Sequence, residues 1–184
     1  MRPLLAALAI ATLALFPAHA DQNDPRLDRL FTQLAAVRTA PESAAIEAKI
    51  VEIWTLSGSD TVDVLMARAQ TAVTAQDFAT GKKLLDAVAE MRPTYAQVWF
   101  CRAELLVAMD SQQEAAADLE KALDLEPRHF RALAIIGQIA EAAGDKSAAL
   151  AAYRRAVVLN PMLEAIARRA GQLTNDAEKK PPPT

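Results

Sequence analysis

Pro93, Pro127 and Pro161 lie 34 residues apart from one another. A proline removes a helical N–H and excludes the helical conformation from the residue before it, so each one ends a helix. A terminator recurring at this period constrains the chain to stacked helical hairpins, each burying its apolar face against the next. Such an array presents a long surface and not a closed pocket.

The residues between the prolines repeat with them. Unit 62–95 has Leu65, Arg68, Ala69 and Ala72, then Gly81, Leu85 and Val88. Unit 96–129 has Trp99, Arg102, Ala103 and Leu106, then Ala115, Leu119 and Ala122. Unit 130–163 has Leu133, Ile136, Gly137 and Ala140, then Ala149, Tyr153 and Ala156. Small residues at 69, 103 and 137, and at 81, 115 and 149, suit two helices that cross closely; Leu85, Leu119 and Tyr153 fill the space beside each crossing. Between the helices, Gly144 suits a left-handed helix end and Asp145 suits a cap for the next helix.

This pattern resembles the tetratricopeptide repeat family (W-x2-L-G-x2-Y, then A-x3-F, then P) over three ungapped units. The expected fold is all-α: a solenoid of antiparallel helix hairpins closed by a C-terminal capping helix. Arg68 and Arg102 stand where the family has leucine. The expectation is that each stem packs while its guanidinium reaches water, in preference to a buried pairing of Arg102 with Asp118.

The flanks complete the organisation. Residues 1–20 combine a basic start at Arg2, an apolar run over 4–16 and Ala18-His19-Ala20, the form of a secretory signal peptide. The run is too short to span a bilayer. Cleavage removes Arg2 and moves the formal charge from −3 to −4, so nothing suggests nucleic acid as partner or membrane insertion afterwards. Residues 21–61 read as an N-terminal hairpin: Asp24 and Pro25 open one helix, Pro41 a second, and Gly58 ends it. Stepped back by one period it is a degenerate repeat, since Glu47 and Trp54 do not fit its small sites, and it is expected to shield the first repeat. Residues 164–174, with Ile166, Ala167, Ala170 and Leu173 on one face, are the capping helix. The tail 175–184 is expected to be disordered.

Catalytic chemistry finds no support. Cys101 and His129 are the sole cysteine and histidine beyond residue 20, and they read as a packed thiol and a turn imidazole. No metal-ligand spacing or phosphate loop occurs, so neither cofactor nor metal is expected, and the chain is not read as an enzyme. The resemblance implies that the first helix of each unit lines a concave surface. Its exposed residues there, Met66, Gln70, Phe100, Glu104, Arg131, Gln138 and Glu141, become the partner-binding candidates for an extended peptide or a helix. Met66, Gln70, Cys101, Arg131 and Ile135 do not make the lysine–asparagine clamp by which some family members hold a terminal carboxylate. Unit 96–129 carries seven acidic against three basic residues and unit 130–163 two against four, which leaves room for a basic partner. The function expected is a monomeric, exported protein-interaction scaffold in cell-envelope assembly, periplasmic if the source is Gram-negative. The alternatives are a self-associating structural protein and a small hydrolase.

Overall fold

The computed structural model describes residues 22–178; residues 1–21, which include the segment expected to be a signal peptide, and residues 179–184 lie outside them. The described residues form helices α1 (Arg26–Ala36), α2 (Ala40–Thr55), α3 (Asp60–Thr74), α4 (Phe78–Met91), α5 (Ala96–Ala108), α6 (Gln112–Leu125), α7 (Phe130–Ala142), α8 (Lys146–Leu159) and α9 (Glu164–Glu178). There is no strand among them. Helices α3–α4, α5–α6 and α7–α8 pair as three hairpins, and α4 packs on α5, α6 on α7 and α8 on α9. This is an all-α solenoid.

The repeat follows from its small sites. Ala69, Ala103, Ala115 and Ala149 are buried at the crossings, beside Leu85, Leu119 and Tyr153. A Cβ on Gly137 would collide with the Tyr153 ring, and one on Gly81 would come within 2.9 Å of Val73. Each intra-hairpin turn places one residue in the left-handed region, again at the 34-residue period: Gln76 (φ 61°), Asp110 (φ 60°) and Gly144 (φ 85°). Only the last is glycine, so the other two carry the strain of that conformation. Asp77 and Asp145 then cap α4 and α8 by accepting from the backbone N–H of Thr80 and Ala148.

At the C-terminal end, Ala170 and Leu173 of α9 pack on Ala149 and Tyr153. Glu141 accepts hydrogen bonds from Tyr153 Oη (3.0 Å) and Arg169 Nε (2.6 Å), tying α7, α8 and α9 together. Helix α9 runs on to Glu178, so residues 175–178 are helical where a disordered tail is expected.

The N-terminal hairpin exists but does not stack ahead of α3 as a leading repeat. Instead α1 meets α8 and α2 meets α5. The hairpin lies across the three turns that follow α4, α6 and α8, two joining the repeats and one leading into α9, and bonds to each. At the first turn, Gln22 Nε2 donates to the Thr94 carbonyl (2.6 Å) and Tyr95 Oη donates to the Trp54 carbonyl (2.9 Å). At the second, Arg128 Nη1 donates to Asp28 (2.6 Å). At the third, Ser43 Oγ donates to Asn160 Oδ1 (3.1 Å) and Asn160 Nδ2 donates to Glu47 (2.7 Å). The apolar seam beneath joins Leu27, Phe31, Leu34, Ile50, Ile53 and Trp54 to Phe130. Glu47 and Trp54, the two misfits to the repeat pattern, are thus the residues that dock this hairpin.

A second correction concerns Arg102. Its guanidinium does not go to water: Nε and Nη2 grip Asp118 at 2.7 Å each and Nη1 reaches Asp86 at 2.9 Å. The Arg102 and Asp118 side chains are 20% and 8% exposed, and the guanidinium also lies over the Trp99 ring at 4.7 Å. One arginine therefore bridges α4, α5 and α6. Arg68 is exposed.

Candidate functional site

The first helices of the repeats place residues 34 apart side by side. One row across α3, α5 and α7 is Asp63, Gln97 and Arg131; a second, two turns along, is Gln70, Glu104 and Gln138. The docked hairpin divides this face. One part is covered, and the other is a cleft of about 640 Å³ walled by Val51 and Thr55 of α2 and floored by α3 and α5, with Arg131 of α7 at its edge.

Under the cover, Trp54 stacks on His129 (centroids 4.3 Å, interplanar angle 13°), and Phe100 lies against the other side of the imidazole at 4.2 Å. Phe100 is fully buried and His129 is 1% exposed. Phe100, expected on the open surface, is a core residue packed with Ala103, Leu106 and Leu119, and His129, expected as a turn residue, is buried beside it. The sequence holds a signal for the stack in Trp54, which is too large for the small sites of a repeat. His129 Nδ1 accepts from the Ala132 N–H (3.2 Å) and so caps α7. Burial, helped by the charge of Arg131, lowers the His129 pKa to about 3, which keeps the ring neutral. Its Nε2 and the Trp54 Nε1 make no hydrogen bond.

In the open cleft stand four of the seven expected residues: Met66, Gln70, Glu104 and Arg131. Gln138 is exposed farther along α7, and Glu141 is held by Tyr153 and Arg169 as described. Arg131 Nη2 donates to Glu104 (3.2 Å) and the guanidinium lies 5.0 Å over the Phe100 ring. Burial raises the pKa of Glu104 despite the opposing attraction of Arg131. Sequence reasoning missed Gln97 and Asp63, which share the cleft. Gln97 is 6% exposed; its Nε2 donates to Cys101 Sγ (3.4 Å) while its Oε1 makes no hydrogen bond. Cys101 is half-buried, and burial, with the nearby Glu104 charge, pushes its thiol up to about 12. It is protonated and inert at neutral pH. No group of three or more His, Cys, Asp or Glu residues able to hold a metal ion occurs among the described residues. Nor is any helix among them long and apolar enough to cross a membrane.

Three hairpins in register, a closing helix and a groove along the first helices define a helical-repeat protein. The chain belongs to the tetratricopeptide repeat family. The Tetratricopeptide repeat model matches residues 96–129 and 130–161. The chain is 33% identical over 136 residues to a TPR repeat-containing protein of Rhizobium etli, across 74% of this chain and 67% of that protein. Among solved structures it resembles the MamA protein (TM-score 0.59, 19% identity), the match covering 64% of either chain, slightly under two thirds. It also resembles the first TPR of Spaghetti (RPAP3) bound to the HSP90 peptide SRMEEVD, with TM-score 0.60, 14% identity and coverage of 64% of this chain and 94% of that one. The Yersinia enterocolitica type III secretion chaperone SycD, in complex with a peptide of the translocator YopD, matches at TM-score 0.59 and 14% identity over 66% of this chain and 97% of that one. At these identities the structural likenesses show the fold.

Proposed function

We propose that this protein is a protein-interaction scaffold that holds a peptide segment of a partner in the cleft between α2, α3 and α5. The observation that carries this reading is the cleft itself. It is open, of a size that suits a few residues of chain, and mixes apolar walls (Met66, Val73, Leu105) with polar groups at fixed positions (Gln70, Gln97, Glu104, Arg131). That mixture suits peptide recognition, where apolar contacts supply affinity and a few polar groups set orientation. The peptide complexes of the RPAP3 and SycD repeats lend support by analogy of fold. The form of residues 1–20 extends the proposal: the protein is exported and works in the cell envelope, in assembly, as a monomer.

A photoreactive residue in place of Gln70 tests the cleft in cells. The expected result is one discrete adduct with a partner protein. Adducts arising only from the outer-face position Arg155 contradict it. Export is tested separately by the mass of the mature protein. A chain beginning at Asp21 in the exported fraction is expected, and a chain retaining residues 1–20 in the cytoplasm opposes it.

A further inference from the structure

The polar groups of the cleft are unbalanced. Its charged acceptors are the carboxylates of Asp63 and Glu104, and the amides of Gln70 and Gln97 add neutral ones. Its one cation, Arg131, is already committed to Glu104 and to the face of Phe100. Asp63 Oδ1 accepts from the Ser57 N–H (2.9 Å) and Oγ (2.6 Å), neutral donors that leave its charge uncompensated. Gln97 Oε1 is a buried acceptor with no donor, a state that costs about 1–3 kcal/mol unless a ligand supplies the N–H.

The form of the occupant follows from the Gln97 oxygen. A helical segment has already used its backbone N–H groups internally, apart from its first turn. An extended segment carries unspent N–H groups along its length. Gln97, Cys101 and Glu104 lie on one stripe of α5, at i, i+4 and i+7. An extended segment laid along that stripe meets the amide oxygen first and the carboxylate about two turns later.

Resting on the peptide-cleft reading above, we propose that the segment held in the cleft is extended and basic: one backbone N–H donates to Gln97 Oε1, and a lysine or arginine side chain sits against Glu104. Its charge is the opposite of that of the carboxyl-terminal peptides gripped by lysine–asparagine clamps.

The test uses two probes, fluoresceinyl-Ala-Thr-Lys-Val-Lys-Thr-Ala-amide, with the dye on the N-terminal amine, and its counterpart with both lysines replaced by glutamate, titrated against the full chain by anisotropy. The basic probe is expected to bind at least about tenfold more tightly, a margin that shrinks as salt is raised. Glu104→Gln and Gln97→Leu each keep side-chain size; they are expected to weaken the basic probe by about tenfold and several-fold respectively, the scale of a hydrogen bond to a charged and to a neutral group. Arg131→Met removes the competing cation and is expected to tighten the basic probe by about threefold. A folding defect cannot imitate that gain. Equal binding of the two probes, or tighter binding of the acidic one, overturns the proposal. So does failure of both probes while the Gln70 crosslink still captures a partner, a result that spares the cleft and removes its charge preference. A dimer of the free protein that Glu104→Gln dissolves makes a second copy the occupant and likewise overturns it.

Discussion

Acidification tests how the N-terminal hairpin is held. His129 is sandwiched between Trp54 and Phe100 with its pKa lowered to about 3 from 6.5. The unfolded chain takes up a proton as pH falls through 6.5; the folded one refuses it until about pH 3. Stability is therefore fully present above pH 6.5 and is lost progressively below it. For one group with these two values the linkage gives a loss of about 2 kcal/mol between pH 7.5 and pH 5, and a limiting loss of about 4–5 kcal/mol near pH 3. Against a typical net stability of about 5–15 kcal/mol this is a large fraction. The carboxylates with lowered pKa (Asp24, Asp77, Glu141) lose their contribution as pH falls below their ordinary values of 3.8–4.5. In the interval from pH 7.5 to 5 the loss of stability comes from His129, the one histidine among the described residues; Glu104, whose pKa burial raises, works in the opposite direction. Urea unfolding followed by circular dichroism across that interval supplies the measurement. His129→Phe keeps an aromatic ring in the stack but loses the cap to Ala132, so it should start about 1 kcal/mol lower and show no fall in stability across the interval. A flat profile in the wild type, or an equal slope in His129→Phe, refutes the reasoning.

Other parts of the account predict further outcomes. Arg102→Ala strands Asp118 and should cost about 2–4 kcal/mol in urea unfolding, whereas Arg102→Met combined with Asp118→Leu should recover most of that loss, because replacing both ends of a buried pair is far cheaper than removing one. Gly137→Ala drives a methyl into the Tyr153 ring and should cost about 1–3 kcal/mol; Gly171→Ala meets no atom within 4 Å and should stabilise α9 by about 0.5–1 kcal/mol. The Cys101 thiol, pushed up to about 12, should react with a disulfide reagent at pH 8 about a thousandfold more slowly in the folded than in the urea-unfolded protein, since the thiolate is the nucleophile.

The repeat geometry is legible in the sequence because it is local. Each proline, small site and turn acts within its own hairpin or on the next, so a 34-residue period carries them all. The placement of α1–α2 is not local. The period extrapolates the stack backwards, yet the hairpin gains more by burying Leu27, Phe31, Ile53 and Trp54 against Phe130 and the inter-repeat turns. The misfits Glu47 and Trp54 flagged this without giving its direction. Met66, Gln70, Glu104 and Arg131 line the cleft that α2 walls, whereas Phe100, one period beyond Met66, turns into the core of α5, α6 and α7 with Leu106, Leu119 and Ala132. The partners of Arg102 are not local either. A leucine-site arginine can reach water or a carboxylate on a neighbouring helix, and Asp86 and Asp118 converge on it only once α4, α5 and α6 are packed.

The account turns on the hairpin lying across the array and leaving one cleft open. The most direct measurement is a nuclear Overhauser spectrum of the chain from residue 21 onward, with Trp54, Phe100 and His129 ring protons assigned. The account predicts strong cross-peaks from the Trp54 indole to the His129 imidazole, and from the imidazole to Phe100. Absence of both, with α2 protons instead showing cross-peaks along the length of α3, contradicts it.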